Sequence, residues 1–540
     1  MKFINKVILS ALALGIPMAA CDTDELHNRN INPQALGTVP MEYLFTAAQL
    51  GSASGGSAGD NRYIDWRTNI GFAGYAIQQL STASGGISPG DKYFDNVESY
   101  NAPWEFIYGD QLKNIAEILR QTGPEGFDQG KENLRNAARI LRVFNFHRLT
   151  DYYGNVPYSE ALKGITEKNF TPAYDQQQAI YNDLLKELEE ASAGLTALDA
   201  TNRNDQAFAD ADLFYEGDIA KWKRFGYSLM LRLAMRISNV DLAKANEFVG
   251  KAVAGGVFES NDDNAWVGMA VGPSEWTNQN GISRAFANGD GGQPTTLSAR
   301  LIDELKGPNA GSVADDDPRL QIFSRGINGN NNPLIQRGLP NGMDQSMINE
   351  MEGVPANPGV NVSQTFSQMN LELLDDDDPY LLMNYAESQF LLAEAAVRGI
   401  GGVNAGDAEM YYENGVRGAM QMYTPFDQID NTLEVDDADV DAYLAARPYL
   451  AGGTEAEKLE QIGTQLWLSK FMNWWEAWAD WRRTQYPTLV PVNYPGNVTN
   501  GQIPRKLRYP NQEPAVNTAN FTSGATLPDE PTTKVWWDVK

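Results

Sequence analysis

The chain has a single cysteine, Cys21, in 540 residues, so no disulfide within the chain can stabilise its fold. A fold without disulfides must bury enough apolar surface to offset the loss of chain entropy. Hydrophobic residues make up 42% of the chain and charged residues 21%. A globular chain of this length can form one large core or two fused cores.

Cys21 also ends a segment typical of a lipoprotein signal peptide. A basic start and a short apolar run over residues 7–16 lead into Met-Ala-Ala-Cys, which matches a lipobox. The run is too short to span a membrane as a helix. The sequence predicts a signal peptide over residues 1–20, lipidation of Cys21, and a tether over residues 21–40.

An acidic cluster follows the cysteine: Asp22, Asp24 and Glu25, interrupted by Thr23. It is either a solvated spacer or an export signal that sends the lipoprotein to the outer face of the outer membrane. The segment from Asn30 to Pro40 is predicted to be extended.

Charge and histidine content exclude several classes of function. The formal net charge is −28, which disfavours nucleic acid because polyanions are bound through clustered lysine and arginine. Two histidines, His27 and His147, are too few for a multi-histidine zinc site. His147 alone could serve a Ser-His-Asp triad, but it is predicted to pack inside a helix.

Apolar residues recur at helical spacing along most of the chain and predict a mostly α-helical fold. Such spacing is present in three stretches: Leu134, Ala138, Leu141 and Phe144; Tyr181, Leu184, Leu185, Leu188, Ala191 and Leu195; and Leu381, Tyr385, Leu392 and Ala395. Further helices are predicted near 104–122, 216–238, 241–255, 406–423 and 455–484. Several pair across short breaks, as in helical-repeat scaffolds.

Two loop-rich segments interrupt this pattern, near residues 51–100 and 261–374. Long loops in a compact domain are usually functional or disordered, and the aromatic and amide residues here favour function. A ring can stack on a sugar face while a neighbouring amide or guanidinium bonds its hydroxyls. The predicted ligand-binding residues combine these groups: Trp66, Tyr75 and Tyr93 in the first segment, and Trp276, Asn278, Asn280 and Arg284 in the second.

Other aromatic and charged residues are predicted to be structural. The stripe of Trp467, Phe471, Trp474, Trp475, Trp478 and Trp481 has helical spacing, which is typical of a core face. Asp480, Arg482 and Arg483 are predicted to form structural ion pairs. Trp104 and Trp222 are predicted packing anchors.

The acidic run over residues 375–378 suits the N-terminus of a helix opened by Pro379. Calcium binding is the alternative, although adjacent aspartates rarely converge on one ion. The acidic run over 436–441 lacks the glycine and glutamate of a calcium loop. No metal and no cofactor are therefore expected.

Short motifs spread from residue 30 to about 510 carry a family resemblance. The longest is Leu-Thr-Asp-Tyr-Tyr-Gly-Asn-Val-Pro-Tyr-Ser-Glu-Ala at 149–161. The others lie at 30–33, 172–175, 217–222, 229–237, 316–320, 393–396 and 476–484. Each is weak alone, but together and in this order they resemble the SusD/RagB family of nutrient-binding outer-membrane lipoproteins, in particular its SusD-like branch.

The resemblance implies one SusD-like domain over residues 41–540, in which a tetratricopeptide-like scaffold of helix pairs supports a loop-rich ligand-binding part. It also implies a non-catalytic, surface-exposed lipoprotein of the outer membrane. Such a protein captures oligosaccharides, or in some members peptides, for a SusC-type TonB-dependent transporter.

Two alternatives to oligosaccharide capture remain open from the sequence. The first is peptide capture, which favours charged and amide-rich loops; aromatic stacking favours glycans instead. The second is a surface glycoside hydrolase, which needs two carboxylates across the scissile bond. Among 70 acidic residues such a pair is always conceivable, but no catalytic motif stands out.

Overall fold

The computed structural model describes residues 39–54, 62–83, 90–272, 278–287, 294–309, 311–354, 362–426 and 432–540. The predicted signal peptide, Cys21 and Trp276 lie outside these residues, as does the tether before Val39.

The described part of the chain is mostly α-helical, as predicted. The first ten α-helices are α1 Met41–Ser54, α2 Val97–Phe106, α3 Leu112–Gln121, α4 Glu132–Tyr153, α5 Gly164–Glu167, α6 Gln177–Gly194, α7 Arg203–Ala211, α8 Ile219–Arg236, α9 Leu242–Gly255 and α10 Gly281–Ala287. The remainder are α11 Ala299–Leu305, α12 Arg319–Phe323, α13 Gln345–Asn349, α14 Tyr385–Arg398, α15 Ala408–Gln421, α16 Asp437–Ala446, α17 Glu455–Leu468, α18 Trp474–Thr484, α19 Glu513–Val516 and α20 Thr518–Gly524. None of these helices is long and apolar enough to cross a membrane.

Pairs of helices form the scaffold. Helix α6 packs against both α4 and α8, α8 packs against α9, and α14 packs against α15 and α17. Helix α6 shows why: Ile180, Tyr181, Leu184, Leu185 and Leu188 recur every three or four residues and are all buried. The predicted tetratricopeptide-like scaffold is confirmed.

Helix α18 lies in the core. All six aromatic residues of the stripe from Trp467 to Trp481 are buried, as predicted. Trp222 and His147 are also fully buried. Trp104 is half-buried and contacts Tyr153 and Tyr509 edge-on. These aromatic residues therefore stabilise the fold by packing rather than by offering faces to a ligand.

Within the described residues, three small antiparallel sheets pair separate segments of the chain. Strand β1 (Val156–Pro157) pairs with β2 (Tyr174–Asp175), β3 (Ala265–Val267) pairs with β6 (Tyr380–Met383), and β4 (Ser324–Gly326) pairs with β5 (Gln368–Met369). The prediction that Pro379 opens a helix is wrong. The apolar residues after it form β6, because Trp266 and its neighbours offer a strand partner that the local sequence cannot reveal.

The first predicted loop-rich segment contains more helix than expected. A ten-residue π-helix, Asp65–Gly74, lies within it, and a second one, Ile107–Gln111, connects α2 to α3. π-Helices are rare, and those that occur are often part of a functional site. The first π-helix carries Trp66, the predicted ligand-binding residue of this segment that retains an exposed surface.

Candidate functional site

Three half-buried aromatic rings form a row at the start of the first π-helix. Tyr63 lies between Trp66 and Phe106, with ring centroids 6.2 and 6.0 Å away. The angles between the ring planes are only 13° and 9°, so the three rings are nearly parallel. We call Tyr63, Trp66 and Phe106, together with Arg62 and Arg67, the aromatic platform.

Two guanidinium groups flank the row. Arg62 lies 4.9 Å from the ring centroid of Trp66, and Arg67 lies 4.5 Å from that of Tyr63. Each pair is four residues apart in a helical segment, which brings the two side chains onto the same face. The cation–π contacts fix the rings; Arg62 is itself buried, and the half-buried Arg67 leaves a positively charged donor beside them. The platform thus carries positive charge, whereas the protein as a whole is acidic.

Buried hydrogen bonds hold the platform from below. Asp65 is fully buried, and its carboxylate accepts hydrogen bonds from Tyr380 on β6 at 2.7 Å and from Asn69 at 2.9 Å. Burial raises the pKa of Asp65 to about 6, although these hydrogen bonds oppose the rise. Asn69 in turn accepts from the backbone of Trp475 on α18 at 3.0 Å. These buried hydrogen bonds therefore hold the π-helix that carries Trp66 in a fixed position.

Helix α2 holds the side of the platform. The Thr68 hydroxyl donates to the carbonyl of Ser99 at 2.8 Å, and the Ser99 hydroxyl donates to the carbonyl of Arg67 at 2.6 Å. Arg67 also forms an ion pair with the exposed Glu98 at 3.5 Å. Since α2 ends at Phe106, these bonds set the position of the third ring relative to the other two.

The second loop-rich segment reaches the same region through α10, which packs against the first π-helix. Asn280 is buried and caps α10 by accepting from the backbone of Ile282 at 2.9 Å, while its amide donates to the carbonyl of Asp378 at 3.0 Å. Arg284 is nearly buried, and its charge lowers the pKa of Asp376 against the larger effect of burial. Asn278 is half-buried and donates to Gly272 at 3.3 Å.

Four of the predicted ligand-binding residues are therefore buried instead of being exposed to a ligand. Tyr75 is fully buried in the core, and Tyr93 is almost completely buried, with its hydroxyl accepting from the backbone of Val492 at 3.4 Å. A ring enclosed by protein has no free face for a sugar, so Tyr75 and Tyr93 are packing residues. Asn280 is engaged in capping, and Arg284 is buried beside an acidic turn. These four positions depend on contacts that local sequence does not report.

Sequence reasoning missed Arg62, Tyr63, Arg67 and Phe106. A signal for the first three was present, because Arg62 and Trp66, and Tyr63 and Arg67, have the spacing of one helical face. No signal in the sequence associates Phe106 with them.

One group of described carboxylates has the spacing of a metal site: Glu387, Glu476 and Asp480, all buried. The ammonium group of Lys470 already lies among them, 3.2 Å from Glu387 and in contact with Asp480. Arg232 and Arg236 also pair with Glu476. A metal ion here would meet three cations, so the group is a structural ion network, as predicted for Asp480. Arg483 joins it through Asp480 at 3.5 Å and also pairs with Glu394 at 2.6 Å.

The comparison that decides the family covers most of the chain. A family model for SusD-like proteins, described as starch-binding and associating with the outer membrane, matches residues 34–510. The chain belongs to the SusD-like family. No curated protein matches it.

Solved structures of SusD-like proteins superpose over nearly the whole chain. A chitin-binding protein is 34% identical, with a TM-score of 0.76, and the alignment covers 93% of this chain and 100% of the other. A SusD-like protein from Bacteroidetes AC2a is 25% identical, with the same TM-score and coverage. A SusD homologue from Bacteroides uniformis is 26% identical, with a TM-score of 0.71, 93% of this chain covered and 100% of the other. The SusD-like fold therefore extends over the helical scaffold and the platform.

Proposed function

We propose that the protein is a non-catalytic lipoprotein of the outer membrane that captures oligosaccharides at the cell surface. It delivers them to a SusC-type TonB-dependent transporter. The observation that carries the glycan part is the aromatic platform, a row of three nearly parallel rings with two guanidinium groups beside it.

This chemistry suits a sugar chain. The axial C–H groups of a pyranose form an apolar face that packs on a ring, while its equatorial hydroxyls need donors and acceptors at the ring edges. Arg67, which is half-buried beside Tyr63, supplies donors next to the row, whereas Arg62 is buried and holds the Trp66 ring. The rings are held by Asp65, Thr68 and Ser99, so little side-chain entropy is lost when a ligand binds.

The comparisons support the same ligand class. The family description names starch, and the relative at 34% identity is described as chitin-binding. Starch and chitin are neutral polysaccharides. The family and the relative are each described by what they bind rather than by a reaction. Chito-oligosaccharides and malto-oligosaccharides are therefore the first ligands to test.

The experiment uses the soluble chain without residues 1–21 and titrates it with these oligosaccharides by calorimetry. Trp66→Ala removes one ring of the row, and we expect binding to weaken at least tenfold. An aromatic residue that stacks on a ligand contributes about 2 kcal/mol, or roughly 30-fold in affinity. The melting temperature should stay near that of the wild type, since Trp66 is only half-buried.

The matched control is Tyr43→Ala, which removes a 67% exposed ring from α1. It should leave the affinity unchanged. Unchanged affinity for the Trp66 variant would contradict the platform. A large fall in its melting temperature, as when a core tryptophan is removed at about 3–5 kcal/mol, would make Trp66 a packing residue. Binding of peptides but of no oligosaccharide would favour peptide capture.

A further inference from the structure

A groove of about 500 Å³ opens at the far end of the first π-helix from the platform. Helix α11, residues 340–342 and residues 490–495 form its walls, and Gln78 also lines it. Gln78 follows the end of the π-helix at Gly74 by four residues, whereas Trp66 is the second residue of that helix. The groove and the platform are thus separate places on one supporting element.

Hydrogen bonds hold the walls of the groove in place. The side chain of Gln78 accepts from the backbone of Val490 at 3.2 Å and donates to the carbonyl of the same residue. The Asn341 amide donates to the carbonyl of Leu80 at 2.8 Å. Below, the buried carboxylate of Asp91 accepts from the backbone of Gly342 at 3.3 Å and pairs with buried Lys92 at 3.1 Å. The groove is therefore formed before any ligand arrives.

The lining combines apolar surface, one ring and balanced charge. Val490 is 70% exposed and Met347 is 38% exposed, so apolar surface faces solvent on both sides. The half-buried ring of Tyr494 is fixed because its hydroxyl donates to Asp344 at 2.7 Å. The charged lining residues are Arg300 and Asp303, which carry opposite charges. In a protein of net charge −28, such a neutral, mixed surface favours an uncharged polyhydroxylated ligand over an ion.

A short surface path connects the groove to the platform. The ring of Phe94 contacts Tyr494 edge-on, with centroids 5.5 Å apart, and Glu98 pairs with Arg67 of the platform. Glu98 follows Phe94 by four positions, so the Cα atoms of these two residues are no more than about 14 Å apart.

We propose that this groove binds a second stretch of the same uncharged oligosaccharide that the platform holds, so that longer chains engage both. This inference rests on the proposed function, since it extends the platform's ligand. It makes a prediction that the platform alone does not make: affinity should rise with chain length, and the groove should be responsible for the rise.

The experiment measures calorimetric affinity of the soluble chain for chito-oligosaccharides from the disaccharide to the octasaccharide, with malto-oligosaccharides as a second series. Tyr494→Ala should leave the affinity for the shortest bound chain unchanged and weaken that for the longest at least tenfold. Val490→Asp, which places a charge at an exposed position, should have the same effect without loss of core packing. Tyr494→Phe keeps the ring and should retain most of the affinity.

The outcomes separate the two proposals. Loss of affinity at every chain length in Trp66→Ala, together with no effect of Tyr494→Ala and Val490→Asp at any length, would overturn the groove and leave the platform standing. Equal loss at all lengths in the two groove variants would also overturn it, since the groove would then not extend a separate site. A wild-type chain that binds neither series would overturn both proposals.

Discussion

At the scale of single residues, burial and not residue type separates binding candidates from packing residues. Trp66 and Trp474 are the same amino acid in helical segments, yet Trp66 is half-buried in a row of parallel rings and Trp474 is enclosed in the core. Tyr63 and Tyr75 differ in the same way. A carboxylate can likewise be part of the site without contacting a ligand, as Asp65 is below the platform.

Asp65 predicts a measurable dependence of stability on pH. Its folded-state pKa of about 6 lies above the ordinary value of 3.8. Between these pH values the folded protein keeps a proton that the unfolded chain has lost, so the contribution of Asp65 to stability falls as the pH rises through this window. A difference of about two pKa units corresponds to about 2–3 kcal/mol. An asparagine side chain at this position would keep an acceptor for Tyr380 and Asn69 without the charge.

We therefore expect the stability of Asp65→Asn not to fall in this way as the pH rises. Between pH 4 and pH 7, its free energy of unfolding should increase by about 2–3 kcal/mol relative to that of the wild type. Urea titrations at several pH values measure it. Asp262→Asn changes an exposed aspartate and should follow the wild type. Parallel pH profiles for wild type and Asp65→Asn would contradict the raised pKa.

At the scale of elements, the buried ion network connects α4, α8 and α18 with the segment that comes just before α18. Glu476 on α18 pairs with Arg236 and Arg232 on α8, with Lys470 at 3.6 Å and with His147 on α4 at 3.6 Å. Arg232, Arg236 and Lys470 hold the pKa of Glu476 well below its ordinary value against the opposing effect of burial, whereas burial lowers the pKa of His147 itself. Charges enclosed this completely are stable only together.

Glu476→Gln should accordingly destabilise the fold far more than an ordinary glutamate substitution. Removing one partner leaves buried cations uncompensated, which costs about 3–5 kcal/mol. Thermal unfolding measures the loss, and Glu125→Gln, at an exposed position, is the control. A melting temperature equal to that of the control would show that the remaining acids, Glu387 and Asp480, suffice for the cations.

At the scale of the whole molecule, the platform and the predicted membrane anchor belong to separate parts of one chain. The platform depends on packing within the described residues, whereas the predicted anchor depends only on acylation of Cys21. Binding of oligosaccharide by the soluble chain should therefore not need the anchor. Delivery to a transporter should need it, because it confines the protein to the surface that holds the partner.

Cys21→Ala should leave a soluble or unprocessed product, because it removes the thiol that is predicted to be acylated. Partition into Triton X-114 measures anchoring, and mass spectrometry of gently solubilised membranes measures the partner. The wild type should enter the detergent phase and co-purify with a large TonB-dependent barrel. A processed Cys21→Ala protein that still enters the detergent phase would contradict the anchor, and a wild type without a barrel would contradict the import role.

The sequence by itself determined the helical scaffold, the core face of α18 and the family. The physical reason is that these features are local: Ile180, Leu184 and Leu188 report one helical face through spacing alone, and family motifs are read residue by residue. It also placed Trp66 among the predicted ligand-binding residues of the first loop-rich segment, although it did not predict the π-helix that carries this residue.

The tertiary structure decided which aromatic rings are accessible and which residues meet. Tyr93 is buried because a segment 399 residues later covers it, and β6 is a strand because Ala265–Val267 pairs with it. Phe106 lies next to Tyr63 because the hydrogen bond from Thr68 to Ser99 holds the first π-helix against α2. Burial and strand pairing depend on contacts between residues far apart in the chain, and spacing along the sequence carries no record of them.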